Sequence, residues 1–336
     1  MQQKGNLNEL FQSFEQLKVL IIGDVMVDSY ITGKVERISP EAPVPVVHVK
    51  SRENRLGGAA NVALNIQSMG ATPILCSIIG DDINAETFRS LLSKRGMTDR
   101  GIINSAKRTT TVKHRVISGG HHLIRIDEEV DQPLDDIDRK TLIDHISQLI
   151  QEADVVIFED YDKGTLDKEV IAAATLAAKA KGIKVAVDPK KRNFLAYEQV
   201  SLFKPNLKEL KEGLNRAINP ESIEELSEAV QQLQDHMDFD AALITLSEHG
   251  IFYKDRNSQV KLPAHVRSIS DVSGAGDTVI SIAALGLALN LTSACLTELS
   301  NLGGGIVCEY PGVVPIDKDR LLKEARSNEL IKTYFD

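Results

Sequence analysis

Short runs of β-branched and aliphatic residues alternate along this chain with longer stretches whose apolar positions recur every three to four residues. Residues 19–22, 74–78, 155–158, 184–187, 202–204, 242–246 and 251–254 read as strands, and residues 59–69, 85–94, 139–151, 168–181, 222–236, 277–289 and 293–309 read as helices. This alternation predicts an α/β fold with a mainly parallel sheet, helices on both faces and ligands at the carboxyl ends of the strands. Two segments break the rhythm: residues 43–49 (PVPVVHV), and residues 109–117 with 123–127, read as strands without intervening helices. They are expected to pair as a small antiparallel lid, drawn from about residues 30–56 and 105–127. Leu7, Leu10, Phe11 and Phe14 have helical spacing and predict a helix docked on the surface.

Composition narrows the choice of function. The 336 residues carry 39 Lys and Arg against 48 Asp and Glu, a net charge of −9, which argues against broad binding to nucleic acid or to an anionic membrane. An anionic ligand must therefore be met by a local positive site. Cys76, Cys295 and Cys308 have no CxxC spacing and read as free thiols in a reducing cytoplasm. The first residues lack the basic start and apolar core of a signal peptide and no apolar run is long enough to span a membrane, so neither a signal peptide nor a membrane span is expected.

The most informative segment is residues 271–278 (DVSGAGDT), which leads directly into the apolar helical run. Small residues allow close backbone approach, and a helix N-terminus directs unpaired N–H groups at whatever sits in front, so Gly274, Ala275 and Gly276 are expected to form an anion hole. Asp277 falls in the first helical turn, where the dipole favours the carboxylate; it is expected to be ionised at neutral pH, with an ordinary or lowered pKa, and able to accept a proton. The dinucleotide pattern GxGxxG fails, because its sixth position is Val279, and GxxxxGK[ST] occurs nowhere. A second paired-glycine turn, residues 57–63 (GGAANVA), opens a helix and places Asn61, with both donor and acceptor, where a hydroxyl-rich ligand could use it. Asp24 and Asp28 follow the first strand and could accept hydrogen bonds from sugar hydroxyls or bind a metal.

Together, residues 57–63 and 271–277 resemble the two signatures of the ribokinase-like (PfkB-type) carbohydrate kinases. Residues 37–47 (RISPEAPVPVV), 23–28 (GDVMVD), 123–127 (LIRID) and 160–164 (DYDKG) look like the heptose-7-phosphate kinase branch in particular. The resemblance implies a three-layer αβα fold with one kinase domain over residues 1–336, and a cytoplasmic enzyme that uses ATP and Mg²⁺. It implies that Asp277 is the general base and that Asp28, Gly57, Gly58 and Asn61 bind the sugar. Asn206 and Glu209, in an NxxE pattern, would position Mg²⁺ through water. Thr245, Ser247 and Gly250 would serve the nucleotide phosphates, Asn301 would close the adenine pocket, and Asp271 and Ser273 would hold a monovalent cation such as K⁺.

The implied acceptor, D-glycero-β-D-manno-heptose 7-phosphate, brings its own phosphate and requires further cations; Lys113, Arg115, Arg125, Arg55 and Lys190 are the candidates, with Lys191 and Arg192 as a solvated alternative. The fused nucleotidyltransferase of the bifunctional members, with its HxGH motif, is not expected, because no HxGH occurs in the chain. A homodimer through the exposed lid strands is expected, since an uncovered apolar ribbon tends to pair. Competing readings are a kinase for another sugar or sugar phosphate and a non-catalytic sugar- or nucleotide-binding regulator. Asp277, the GAG turn and NxxE count against the regulator.

Overall fold

The computed structural model describes residues 5–335. Its strands are β1 (Lys18–Gly23), β2 (Val25–Ile38), β3 (Pro45–Gly58), β4 (Thr72–Gly80), β5 (Ile102–Ser105), β6 (Val112–Ser118), β7 (His121–Glu128), β8 (Val155–Glu159), β9 (Lys184–Asp188), β10 (Leu202–Phe203), β11 (Ala241–Thr245), β12 (Ile251–Asp255) and β13 (Gln259–Leu262). The helices are α1 (Leu7–Ser13), α2 (Ala59–Ser68), α3 (Ile83–Lys94), α4 (Asp136–Leu149), α5 (Lys168–Ala180), α6 (Leu207–Gly213), α7 (Ile223–Met237), α8 (Ala275–Ala288), α9 (Ser293–Val307), α10 (Lys318–Ser327) and α11 (Glu329–Lys332).

Nine strands form one sheet in the order β13-β12-β11-β10-β9-β8-β1-β4-β5. It is parallel from β5 to β11 and turns antiparallel at β12 and β13. Side chains alternate across a strand, and β1 shows the consequence: Val19 and Ile21 enter one hydrophobic cluster, Leu20 and Ile22 the other. The first cluster packs α1, α2, α3, α8, α9, α10 and α11 on one face, and the second packs α4, α5, α6 and α7 on the other. This is the expected three-layer αβα arrangement. The strand order reverses around β1, and such a switch point opens a crevice at the carboxyl ends of the flanking strands.

Strands β2, β3, β6 and β7 make the second, four-stranded sheet. Its two hairpins, β2–β3 and β6–β7, are antiparallel as expected, but they join along a parallel β2–β6 pairing. The lid also begins earlier than the pattern suggested, because β2 starts two residues after β1 ends. Residues 25–38 mix polar and apolar positions, as a strand exposed at its far end does, and so lack the apolar run that marks a core strand. Cys76, Cys295 and Cys308 are buried, free thiols. No helix among the described residues is long and apolar enough to cross a membrane.

Candidate active site

Asp277 sits in the first turn of α8, behind the Gly274 cap. Gly274 adopts φ +82°, a left-handed conformation that turns the chain into the helix and that a side chain resists. α8 packs across β8 and β9, so the Asp277 carboxylate arrives over the ends of those strands, only 7% exposed. There it meets Glu159, the last residue of β8, and Asp188, the last of β9; one oxygen from each of the three lies within 4.8 Å of the others. The Tyr161 hydroxyl donates to Asp277 Oδ1 at 3.0 Å.

Burial, and then the charge of Asp188, push the Asp277 pKa up to about 6, against the opposing pull of Tyr161, Lys204 and Asn61. This corrects the expectation of an ordinary or lowered value: desolvation outweighs the helix dipole. The group remains mostly ionised at pH 7 and is a better proton acceptor than a surface aspartate. Asp188 is held below the usual range, because Lys204 and Lys190 outweigh a burial that alone would raise it. Lys204 Nζ binds Asp188 Oδ2 at 2.8 Å and is 2% exposed. A Cβ built on Gly276 would lie 3.8 Å from that ammonium, so a fixed positive charge stands beside the expected anion hole.

Among the residues expected to bind the sugar, Asp28 in β2 is buried and accepts a hydrogen bond from Arg115 Nη1 in the neighbouring β6. Gly57, the penultimate residue of β3, lies against it, and any Cβ there would stand 2.5 Å from Asp28 Oδ2, so the glycine is needed for the close approach. Gly58 follows and caps α2, which carries the buried Asn61. A cavity of about 580 Å³ opens here, lined among others by Asp28, Arg55, Asn61, Lys94, Arg95 and Val313. Arg55 and Arg115 both lie over the Tyr30 ring, at 4.7 and 5.4 Å.

The basic candidates for a substrate phosphate separate. Arg55 lines this cavity, paired with Glu53 at 2.7 Å, and Arg115 stands behind its wall on Asp28. Lys190 does not line it: it binds Glu209 Oε1 at 2.7 Å and lies 3.7 Å from Asp188. Lys113 is tied to Asp127 and Glu129, at 3.2 and 2.9 Å, and Arg125 to Asp127 at 3.0 Å. Arg192 pairs with Asp131 at 2.9 Å, and Lys191 is exposed. Lys94 and Arg95, at the end of α3, line the cavity and were missed, because a basic pair at a helix C-terminus looks like an ordinary dipole partner. Asp24 also departs from its expected role. Its carboxylate accepts the backbone N–H groups of Tyr161, Lys163 and Thr165, and so anchors the loop after β8.

Among the residues expected to serve the nucleotide, Asn206 and Glu209 form a capping box at the start of α6. Glu209 Oε2 accepts the Asn206 N–H and Oε1 the Lys190 ammonium, which fixes the carboxylate while leaving each oxygen a lone pair. Such an all-oxygen pair fits Mg²⁺ held through water. Asn206 bridges Thr245 at the end of β11, Ser247 follows exposed at φ +54°, and Gly250 turns the chain into β12. Asn301 Nδ2 donates to Pro263 O at 2.9 Å, holding the loop that leads from β13 to the Gly274 turn. Asp271 accepts from the Ser273 and Gly312 N–H groups, so both oxygens already clamp that loop, and an alkali cation at Asp271 and Ser273 would have only their remaining lone pairs.

Sequence reasoning did not bring Glu159, Tyr161, Asp188 and Lys204 together around Asp277. The signal was available: each ends a parallel strand or lies within two residues of one, at the edge where ligands bind.

Comparison with known proteins agrees with this architecture. The bifunctional protein HldE of Helicobacter pylori (strain J99 / ATCC 700824) is 40% identical over 292 residues, which is 86% of this chain and 62% of that protein. HldE of Syntrophotalea carbinolica is 35% identical over 95% of this chain and 65% of its own length. The chain thus spans less than two thirds of these relatives. The crystal structure of phosphofructokinase-2 from Escherichia coli in complex with potassium superposes with a TM-score of 0.75 at 19% identity, over 91% of this chain and 97% of the other, and shows the shared ribokinase-like fold. Residues 16–319 match the model of the pfkB family carbohydrate kinases, so the chain belongs to that family and is a phosphotransferase acting on a sugar hydroxyl.

Proposed function

We propose that the protein transfers the γ-phosphoryl group of ATP to O1 of D-glycero-β-D-manno-heptose 7-phosphate, giving the 1,7-bisphosphate and ADP. The observation that carries the transfer is the Asp277 carboxylate, buried in the first turn of α8 beside Asn61, which lines the cavity. The heptose reading is supported by residues 37–47, 123–127 and 160–164 and by the similarity to HldE.

Phosphoryl transfer passes through a loose transition state, so the protein mainly aligns the reactants and neutralises oxygens. Asp277 takes the proton of the acceptor hydroxyl while that oxygen bonds to the γ-phosphorus and ADP leaves. Tyr161 keeps the carboxylate oriented through its hydrogen bond. The backbone N–H groups at the start of α8, with Lys204 beside Gly276, meet the oxygens of the group in transfer. Asn206 and Glu209 would hold Mg²⁺, which supplies charge neutralisation at the nucleotide phosphates. Asp28, braced by Arg115, and Asn61 receive the sugar hydroxyls; Arg55, Lys94 and Arg95 meet the acceptor's own phosphate. Closure of the four-stranded sheet over this cavity excludes water from the γ-phosphate. We place the enzyme in the cytoplasm, which suits three free thiols, and as a dimer through the lid, whose Val44, Val49, Leu123, Ile124 and Ile126 are exposed.

An ADP-release screen over sugars and sugar phosphates, with ³¹P NMR of the product, tests the reading. Turnover with the heptose 7-phosphate and an anomeric phosphate signal are expected, and a Lys94→Ala/Arg95→Ala variant should lose discrimination between the phosphorylated and free heptose. Selective turnover of another sugar phosphate establishes the second reading, a pfkB kinase of different acceptor. Absence of ADP release from every sugar establishes the regulator. Exchange of K⁺ for Na⁺ tests the cation dependence, and sedimentation of a lid variant such as Ile124→Lys tests the dimer.

A further inference from the structure

One buried acid takes no part in this transfer. Glu159 ends β8, is 1% exposed, and neither of its carboxylate oxygens has a hydrogen-bond partner. A buried carboxylate in that condition is costly, since an ion removed from water loses several kcal/mol of solvation unless a partner restores it. The groups facing it deepen the problem. Asp188 and Asp277 each bring an oxygen within 4.8 Å. The nearby ammoniums are engaged elsewhere: Lys204 binds Asp188 at 2.8 Å, and Lys190 binds Glu209 at 2.7 Å. Four carboxylates, those of Glu159, Asp188, Asp277 and Glu209, thus face two ammoniums, leaving two negative charges unbalanced when all are ionised.

A proton on Glu159, which burial and the charges of Asp188 and Asp277 favour, would remove one of these charges and leave the other unbalanced. A divalent cation removes both and gives the orphaned oxygens a partner. We propose that Glu159, Asp188 and Asp277 hold a hard divalent cation of the Mg²⁺ or Mn²⁺ class in the nucleotide-free protein, at a position separate from the Asn206 and Glu209 pair. The donor set is all oxygen, as such ions prefer. Around a small octahedral cation at about 2.1 Å, neighbouring oxygens stand about 3 Å apart and opposite ones about 4.2 Å, so carboxylate oxygens within 4.8 Å of one another must draw together by up to about 1.8 Å to share the ion. Asp188 would present Oδ1, which has the Lys190 ammonium at 3.7 Å, and Asp277 would present Oδ2, the oxygen that Tyr161 does not hold. The ion would lie at the floor of the crevice, beneath the turn of α8 where the phosphoryl group passes. Because it requires no nucleotide, the inference stands whichever sugar is the acceptor.

The test uses the full chain, freed of metal and nucleotide and titrated with Mn²⁺. The electron paramagnetic resonance signal of free Mn²⁺ reports binding, and the unfolding midpoint is measured with and without the ion. One bound Mn²⁺ per chain and a raised midpoint are expected. Glu159→Gln should weaken binding at least tenfold and abolish the rise in midpoint, Asp277→Asn should weaken binding as well, and Glu209→Gln should retain it. Circular dichroism in EDTA checks the fold of each variant. Absence of Mn²⁺ binding to the nucleotide-free wild type overturns the proposal, whatever the variants do. It is equally overturned if Glu159→Gln binds as the wild type does, or if Glu209→Gln loses the ion as completely, which would place it at the nucleotide-side pair.

Discussion

Replacing Asp277 with Asn separates what this carboxylate does for turnover from what it costs the fold. Asn keeps the shape, keeps an acceptor for the Tyr161 hydroxyl and removes the charge and the basic oxygen. General-base assistance of about 10²–10⁴-fold should disappear, which is about 3–5 kcal/mol of transition-state stabilisation. Stability should move the other way. A carboxyl group whose pKa is raised from 3.8 to about 6 is disfavoured as the anion at pH 7 by about 3 kcal/mol relative to the unfolded chain. The Tyr161 bond is already contained in that balance, so the neutral Asn should recover most of it.

The pH dependence fixes the sign. Between pH 3.8 and about 6 the folded protein binds the proton that the unfolded chain has released, so wild-type stability falls as pH rises through that window. The advantage of Asp277→Asn should therefore be absent at pH 4 and complete above pH 6. Urea unfolding in EDTA at pH 4 and pH 7.5, beside kcat at saturating ATP and acceptor, measures both effects. A variant that turns over at near the wild-type rate refutes the base assignment. Equal stability of the two proteins at pH 7.5 refutes the burial argument.

Three further outcomes follow from neighbouring groups. The rate constant kcat/KM should fall tenfold per unit below about pH 6 and be flat above it; Tyr161→Phe removes a bond that lowers the Asp277 pKa and should move this limb to higher pH in the same assay. Lys204→Met leaves Asp188 buried without its 2.8 Å partner and should cost about 3–5 kcal/mol, read from urea unfolding at neutral pH. Gly57→Ala forces a methyl group to 2.5 Å from Asp28 Oδ2, so the acceptor KM should rise at least tenfold while ATP affinity, measured by calorimetry, stays unchanged.

Much of the architecture was legible because it is written in local periodicities. The alternating residues of β1 belong to both core layers, and a strand covered on both faces must be apolar throughout, which is what residues 19–22 show. The GAG turn and Asp277 were legible for a similar reason, since the geometry of a helix start is set by the residues within one turn of it. The pKa direction was not. It depends on Asp188, which lies 89 positions away in the sequence and reaches Asp277 only because α8 crosses β8 and β9.

The basic residues mark the same boundary. Charge and family resemblance nominated Lys113, Arg125 and Lys190 for a substrate phosphate, and a sequence carries no record of which carboxylate neutralises each. Asp127, Glu129 and Glu209 claim them, while Lys94 and Arg95 reach the cavity from a helix that pattern alone assigns to the surface. By itself the sequence determined most of the core elements, the kinase signatures and the nomination of Asp277 as the base, because each rests on neighbours close along the chain. Only the tertiary structure decided which charges meet, how deeply the base is buried and that Glu159 stands without a partner, because electrostatic energy depends on distance through space and on exclusion of water.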